Sequence, residues 1–197
     1  MIKTFNYLFV TFFGIGTVRF APGTITSLIT TVLLFSLFQI LNISNNLILL
    51  FIFLVFLYSF YAVAEYIKEN ENKDPKEVVI DEVIGQSIPI YLFEIAHGSE
   101  KNSQEAVLFY IYIFLLFRFF DIKKPFPINI FDKNYKNSFG VIIDDVLAGL
   151  YVVLTLIVFM IIKTKFFTSS GIFNTTRHFV FFTFIMTSHS CSMTGFH

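Results

Sequence analysis

Charged side chains are scarce in this sequence, since Asp, Glu, Lys and Arg make up only 14% of its 197 residues. Soluble domains carry about 25% charged residues, so this chain is too apolar to be an ordinary one. Its mean hydropathy of +0.73 indicates a protein that shares its surface with lipid and excludes a disordered chain. The formal net charge is zero, so no overall positive field would attract nucleic acid, and we expect no nucleic-acid partner.

Cysteine is almost absent as well. Cys191 is the single cysteine in the sequence, which excludes an internal disulfide. None of the four His residues lies at a zinc-site spacing from it. The composition therefore argues against both redox and zinc chemistry.

The apolar runs predict membrane helices. A spanning helix needs about 20 mostly apolar residues, and residues 27 to 43 and 47 to 64 qualify, joined by a short turn that favours an antiparallel pair. Residues 86 to 97, 106 to 117 and 146 to 162 are apolar too, but their lengths fit partly inserted or buried helices better. We predict an all-α fold, a compact helical bundle that passes the membrane several times.

The polar stretches between these runs are residues 14 to 26, 65 to 85, 98 to 105 and 118 to 145. Two crossings by residues 27 to 64 and a hairpin over 86 to 117 would place the first, second and fourth stretches on one face. Most basic residues lie on that face, whereas the opposite loop has only Lys101. The positive-inside rule therefore makes the shared face cytoplasmic, although Lys163 and Lys165 would lie opposite if residues 146 to 162 cross fully.

The first of these loops contains Gly14, Gly16 and the run Ala21-Pro22-Gly23-Thr24. Glycine permits close approach of backbone N–H groups to a ligand, and Thr24 is suited to cap the following helix. The free N–H groups at a helix start attract phosphate, so Gly23 and Thr24 are candidate phosphate-binding residues. A plain loop with a helix cap is the alternative, because Gly-rich turns are common.

The second loop places Asp81 and Glu82 between Val79-Ile80 and Val83-Ile84. This pattern is not that of a solvated charged face. Burial of carboxylates is unfavourable unless cations or hydrogen bonds compensate it. The pair is therefore a candidate set of metal ligands.

The last loop is the richest in candidate residues. Arg118 and Asp121 are three residues apart and would share a helix face, followed by Lys123 and Lys124. A second acidic pair, Asp144 and Asp145, is predicted to open the next apolar helix. Together these residues offer oxygen ligands for Mg²⁺ and cations for phosphate. In the alternative, structural interpretation, the Asp pair interacts with the positive N-terminal end of a helix dipole, and Arg118 anchors its helix at the membrane interface.

At these loops the sequence resembles the phosphatidylglycerophosphatase A family of bacterial lipid phosphatases. The resemblance spans roughly residues 10 to 162 and rests on four blocks in order: Ala21-Pro22-Gly23-Thr24; Asp81-Glu82 with Gly85; Arg118-Phe119-Phe120-Asp121-Ile122-Lys123-Lys124-Pro125-Phe126-Pro127; and Asp144-Asp145-Val146-Leu147-Ala148-Gly149. It implies an all-helical fold and Mg²⁺-dependent removal of the terminal phosphate from phosphatidylglycerophosphate, giving phosphatidylglycerol. It also implies a phospholipid partner and an active site at the cytoplasmic face of the bacterial plasma (inner) membrane.

The working hypothesis is metal-assisted hydrolysis of a phosphomonoester. Asp81, Asp121 and Asp144 are the candidate catalytic residues, and Asp121 would serve as a ligand or a base. The candidate metal ligands are Asp81, Glu82, Asp144 and Asp145; the candidate phosphate-binding residues are Arg118, Lys123, Lys124, Gly23 and Thr24. Direct attack by water and an aspartyl-phosphate intermediate both remain open.

Two other function classes compete with this hypothesis. A small ion or solute transporter would use acidic groups along a path, but here only Glu94 lies well inside an apolar run. A purely structural membrane protein would leave the Asp pairs unexplained. The family-like domain is expected to cover residues 1 to 163, with residues 164 to 197 as a dispensable tail of unknown role.

Overall fold

The computed structural model describes residues 2 to 69, 76 to 97, 103 to 126, 128 and 138 to 169. Within these ranges the chain is all-α, as predicted, and contains no β-strand. The helices are α1 (Ile2–Val10), α2 (Pro22–Phe35), α3 (Asn45–Glu69), α4 (Ile80–His97), α5 (Ser103–Lys123) and α6 (Ser138–Ser169). A short 3₁₀ turn, Ile15–Thr17, precedes α2, and a π-helical turn, Ser36–Ile40, extends it.

Three stretches of the described residues are long and apolar enough to cross a membrane: Pro22–Ile40, Asn45–Lys68 and Ser138–Ile162. The first two match the predicted spans. The third contains the run 146 to 162, for which a partly inserted or buried helix was expected; that run belongs to a longer apolar stretch that qualifies as a candidate span. On α3, apolar side chains such as Phe51 and Leu54 are more than half exposed, as expected for a surface in contact with lipid. By contrast, α4 and α5 contribute fully buried side chains such as Ile90 and Ile113. The two shortest apolar runs, 86 to 97 and 106 to 117, therefore belong to helices that contribute to the core.

Helices α2 and α4 run parallel in a constant register. Three side-chain hydrogen bonds join them, each between residues 55 positions apart: Ser27 to Glu82 at 2.5 Å, Gln86 to Thr31 at 3.1 Å, and Gln39 to Glu94 at 3.1 Å. Because the offset is the same at each bond, the two helices begin at the same end of the bundle. Three of the polar residues that interrupt the first predicted span, Ser27, Thr31 and Gln39, are therefore partners of polar residues on α4.

Two glycines let α4 and α6 cross in close contact. A Cβ atom on Gly149 would lie 2.4 Å from the carbonyl oxygen of Gly85, and one on Gly85 would lie 2.6 Å from the carbonyl oxygen of Asp145. Real Cβ atoms do not make such short contacts, so both positions require glycine. The crossing brings the backbone of Asp145 against the second turn of α4.

The chain divides into two compact units, residues 1 to 152 and 153 to 197. The core of the first includes Val10, Val63, Ile84 and Ile142. In the second, the described side chains from Leu154 to Ile162 are largely apolar and exposed. The predicted domain boundary after residue 163 lies within α6, which runs to Ser169. The tail's remaining residues, 170 to 197, lie outside the described ranges, so its dispensability stays a prediction.

Candidate active site

The first loop leads into α2 through a tight backbone turn. Ala21 adopts the left-handed conformation (φ 45°) and precedes Pro22, the first residue of the helix, with no side-chain cap bond. Proline suits this position because its missing N–H has no helical partner there. Thr24 consequently lies within the first turn, so the expectation that it caps the helix is wrong.

Gly23 makes room for the carboxylate of Glu82. A Cβ atom at Gly23 would lie 1.7 Å from Glu82 Oε1, so a larger residue would displace that side chain. The Ser27 hydroxyl donates a 2.5 Å hydrogen bond to Glu82 Oε2, and Arg118 pairs with the same oxygen. The first and second predicted loops therefore meet at Glu82, whose carboxylate faces the positive end of α2.

Asp81 and Glu82 occupy the first turn of α4. Burial is the main reason that the pKa of the Asp81 carboxyl lies well above its usual value, and the negative charges of Glu82 and Asp144 raise it further. Burial also raises the pKa of Glu82, although the adjacent guanidinium of Arg118 acts in the opposite direction. The structure thus places anions where ionisation is unfavourable without an added positive charge.

Arg118, near the end of α5, links two of the predicted acids. Its Nη1 atom pairs with Glu82 and lies 3.1 Å from Asp121 Oδ2, which confirms that Arg118 and Asp121 share a helix face. Burial alone would lower the pKa of Arg118, but these carboxylates raise it, so the guanidinium stays charged. Its Nε atom is buried and has no hydrogen-bond partner among the described residues. One N–H donor of the guanidinium is therefore unsatisfied at this point.

Lys124 brings the last acidic pair to the cluster. Its Nζ atom lies 2.8 Å from Asp144 Oδ2, across the break between α5 and α6. Lys124 adopts a positive φ of 42°. This backbone conformation is unfavourable for a residue other than glycine, and strained conformations of this kind cluster at functional sites. Lys123, one residue earlier, is exposed. Of the two predicted lysines, the structure brings Lys124 to the acids.

Asp144 and Asp145 lie further along their helix than predicted. Helix α6 begins at Ser138, so the pair occupies its second turn and does not open the helix. The helix dipole acts mainly within the first turn, which removes the proposed structural reason for the pair. Both residues are buried, with only 7% and 4% of their surfaces exposed.

Five carboxylates thus surround two cations. The carboxylates belong to Asp81, Glu82, Asp121, Asp144 and Asp145, which act electrostatically on one another, and the cations are Arg118 and Lys124. No basic side chain within the described ranges forms an ion pair with Asp81 or Asp145. The excess negative charge and the hard oxygen donors suit a divalent cation such as Mg²⁺. Nevertheless, no three Asp, Glu, His or Cys side chains of the described residues form a ready ligand set.

Ser27 is the site residue that sequence reasoning did not identify. It appeared only as a polar interruption in an apolar run, yet it is fully buried and donates to Glu82. Its spacing of four residues from Thr31, another buried polar residue, was the available signal, because such residues share a helix face.

These features define a class of protein: an all-helical, membrane-associated chain with a partly buried cluster of carboxylates and cations suited to a phosphorylated ligand. Residues 8–160 match the family model of phosphatidylglycerophosphatase A. The chain therefore belongs to the phosphatidylglycerophosphatase A family.

Two proteins are similar to the chain over most of its length. The chain is 37% identical, over 72% of its length and 80% of the relative's, to phosphatidylglycerophosphatase A of Haemophilus influenzae. It is 33% identical, over 71% of its length and 83% of the relative's, to a Bacteroides thetaiotaomicron protein with the provisional name phosphatidylinositol-3-phosphatase. No solved structure matches the chain.

Proposed function

We propose that this protein removes the terminal phosphate from phosphatidylglycerophosphate and so produces phosphatidylglycerol. Family membership and the name of the Haemophilus influenzae relative support this reaction. The observation that supports it most directly is the buried Nε–H of Arg118, which has no hydrogen-bond partner among the described residues and lies near the carboxylates of Glu82, Asp121 and Asp145. A buried N–H without a partner is unfavourable, and a phosphate oxygen would satisfy it.

The proposed cofactor is Mg²⁺, bound through one or two of the carboxylates of Asp81, Asp144 and Asp145. Glu82 was also predicted as a ligand, but Ser27 and Arg118 already donate to it, so we assign it a positioning role. Because the described side chains do not form a complete ligand set, water and substrate phosphate would supply the other ligands, as is usual for Mg²⁺. When bound, the ion would stabilise negative charge on the phosphate.

The basic residues would bind and orient the phosphate. Arg118 would donate from Nε, and Lys124 would exchange its contact with Asp144 for a phosphate oxygen. Asp121 holds the guanidinium in place from 3.1 Å and is the candidate base. The exposed Lys123 and the backbone N–H groups of Gly23 and Thr24 remain predicted secondary contacts. Phosphoryl transfer depends mainly on such positioning and charge stabilisation.

The nucleophile is either water or an aspartate. Hydrolysis of a chiral thiophosphate substrate distinguishes them. Net inversion at phosphorus would support a single attack by water, whereas net retention would require a covalent intermediate, for which the buried Asp144 and partly buried Asp81 are the candidates.

A second headgroup is a candidate because of the Bacteroides thetaiotaomicron relative, whose name specifies phosphatidylinositol 3-phosphate. The cluster recognises a phosphomonoester, a group that both lipids share. Phosphate release should therefore be measured from phosphatidylglycerophosphate, phosphatidylinositol 3-phosphate and phosphatidic acid in matched vesicles, with and without Mg²⁺. Preferential, Mg²⁺-dependent release from phosphatidylglycerophosphate is expected. Preference for the inositol lipid would change the assigned substrate, and no release from any of them would refute the phosphatase proposal.

The transporter hypothesis has no support from the structure. Glu94, the acid on which it depended, is buried and accepts hydrogen bonds from Gln39 at 3.1 Å and Tyr110 at 2.9 Å. These bonds give Glu94 a structural role in joining α2, α4 and α5. A proton or ion path would require this group to be accessible.

We further propose that the protein resides in the bacterial inner membrane with the carboxylate cluster on the cytoplasmic face. The three apolar stretches support membrane insertion. The contacts from Glu82 to Ser27 and Arg118, and from Lys124 to Asp144, support a common face for the four polar motifs. The excess of basic residues near these motifs supports the orientation.

A further inference from the structure

Ser27 differs from the other residues of α2 that donate to or accept from α4. Side-chain hydrogen bonds join the two helices at Ser27, Thr31 and Gln39. The bonds of Thr31 and Gln39 end about one turn and three turns further along α4 than Glu82. Of these three bonds, the one from Ser27 is the bond that ends at an acid of the carboxylate cluster, Glu82.

The carboxylate of Glu82 is confined at both of its oxygens. Ser27, which is fully buried, donates to Oε2 at 2.5 Å, and Arg118 Nη1 pairs with the same oxygen. Oε1 occupies space that a side chain at position 23 would take, because a Cβ atom on Gly23 would lie 1.7 Å from it. The position of this carboxylate therefore depends on a donor from α2, a donor from α5 and the absence of a side chain at Gly23.

Glu82 in turn restrains the guanidinium of Arg118. Nη1 of Arg118 contacts both Glu82 and, at 3.1 Å, Asp121 Oδ2. Asp121 belongs to the same helix as Arg118, so of these two acids Glu82 is the one that ties the guanidinium to another helix. Because a guanidinium is planar and rigid, contacts at Nη1 also determine the direction of the unsatisfied Nε–H.

We infer that Ser27 is a positioning residue: through Glu82 it orients the guanidinium of Arg118, and glycine is required at position 23 to leave space for Glu82. This inference rests on the proposed function, because it takes the Nε–H of Arg118 to bind the substrate phosphate. The side chain of Ser27 itself touches no substrate. Orientation of this kind matters because a misplacement of about 1 Å can reduce a rate about 100-fold.

Nuclear magnetic resonance of the arginine side chains measures the orientation directly. The sequence contains three arginines, Arg19, Arg118 and Arg177, so ¹⁵N-arginine labelling of the full-length protein in detergent gives few Nε–H signals. The signal lost in Arg118→Lys belongs to Arg118. We expect its hydrogen to exchange slowly with water in the wild type, because it is buried, and about tenfold faster in Ser27→Ala. Unchanged exchange in Ser27→Ala would overturn the inference.

Thr31→Val is the matched control for Ser27→Ala. Thr31 is also buried, accepts from Gln86 at 3.1 Å and donates to the carbonyl oxygen of Ser27 at 2.8 Å. Its replacement removes contacts between α2 and α4 but none to Glu82. Both variants should lower Tm, whereas Ser27→Ala alone should lower kcat/KM about tenfold and accelerate the exchange. Equal effects of the two variants on kcat/KM and exchange would reduce Ser27 to a structural role.

Ser27→Cys is a second variant, for use also if Ser27→Ala does not fold. Cysteine is close to serine in size and keeps a weak S–H donor. Its kcat/KM and its Nε–H exchange should therefore lie between those of the wild type and those of Ser27→Ala. Wild-type exchange together with a tenfold loss of kcat/KM in Ser27→Cys would contradict the route through Arg118.

A double-mutant cycle tests whether Ser27 acts through Arg118. In an Arg118→Lys background, Ser27→Ala should lower kcat/KM by less than about twofold more, because the guanidinium that it orients is gone. In a Lys124→Gln background, which removes the other cation of the cluster, the full tenfold effect should remain. A tenfold effect in both backgrounds would show that Ser27 acts by another route and would refute the inference.

Gly23→Ala tests the space beside Glu82. The added methyl group would meet the end of a flexible side chain, which can move away, so Tm should fall little. The displaced carboxylate should nevertheless release the guanidinium and accelerate Nε–H exchange of Arg118 as in Ser27→Ala. A loss of kcat/KM with wild-type exchange would contradict the requirement for space and would assign Gly23 to backbone contact with phosphate.

These measurements separate the two proposals, since hydrogen exchange at Arg118 does not require turnover. Accelerated exchange in Ser27→Ala and Gly23→Ala, without phosphate release from any lipid by the wild type, would support the control of Arg118 by Ser27 and refute the enzymatic function. Phosphate release by the wild type, with unchanged exchange in both variants, would do the reverse.

Discussion

Asp81 and Asp145 are the residues whose placement is hardest to explain without a ligand. Neither forms an ion pair within the described ranges, although both lie among other carboxylates. The sequence indicated these acids because each stands beside apolar residues. It could not indicate which cation each one meets, since Arg118 pairs with Glu82 and Lys124 with Asp144 across long separations in the chain.

The raised pKa of Asp81 predicts how pH and Mg²⁺ affect stability. The pKa of the Asp81 carboxyl is higher in the folded than in the unfolded state. The metal-free protein should therefore become less stable as the pH rises from the unfolded-state pKa to the folded-state pKa. Mg²⁺ competes with protons for the carboxylates, so its stabilising effect should grow with pH. At about 100 times the dissociation constant it would add about 2.7 kcal/mol.

Thermal unfolding in detergent between pH 5 and pH 8 measures this effect. We expect Mg²⁺ to raise Tm clearly at pH 8 and little at pH 5, and Asp81→Asn to reduce the difference. An equal rise in Tm at both pH values, in the wild type and in Asp81→Asn, would show that the ion binds elsewhere.

Arg118→Lys tests the proposed phosphate contact. Lysine keeps the positive charge but cannot supply both the Nη1 contacts to Glu82 and Asp121 and a separate Nε donor. We expect kcat to fall about 100-fold, comparable to the loss of a donor to a developing anion. Arg19→Lys, at an exposed loop position, is the control and should remain near wild type. A nearly normal rate in Arg118→Lys would remove the guanidinium from the mechanism.

The helices illustrate what patterns along the chain can and cannot predict. The lengths of the apolar runs were sufficient to predict α2 and α3 as candidate spans, and for α4 and α5 they favoured partly inserted or buried helices. They did not predict that α6 would also qualify as a candidate span. The start of α6 was misplaced by six residues because the run from Ser138 to Ile143 mixes apolar and small residues and gives no clear boundary. The constant offset between α2 and α4 depends on tertiary packing, which no local pattern encodes.

The close crossing of α4 and α6 should be intolerant of any added side chain. Gly85→Ala would place a methyl group 2.6 Å from the Asp145 carbonyl oxygen and force the helices apart. Overpacking of this kind typically costs about 1 to 3 kcal/mol of folding stability. Activity should fall as well, because Asp81 and Asp145 lie on the two separated helices.

Ala96→Ser is the control for this prediction, since it adds a group of similar size at an exposed position near the other end of α4. Tm and phosphate release should both be lower in Gly85→Ala than in this control. Wild-type values in Gly85→Ala would show that the crossing is looser than the structure indicates.

For the whole molecule, the distribution of basic residues predicts the orientation in the membrane. Single cysteines at Ser44, in the turn between α2 and α3, and at Lys76, before α4, can be compared after replacement of Cys191. In intact cells a membrane-impermeant maleimide should label Ser44→Cys, and it should label Lys76→Cys only after permeabilisation. The opposite pattern would place the carboxylate cluster on the outer face.

The central claim is that carboxylates from separate parts of the chain cooperate in hydrolysis of a lipid phosphate. The most direct measurement is Mg²⁺-dependent phosphate release from phosphatidylglycerophosphate by the wild type and by Asp81→Asn, at equal amounts in the membrane. The wild type should release phosphate readily, and the rate should fall at least about 100-fold in the variant. Comparable release by both proteins, or none by the wild type, would contradict it.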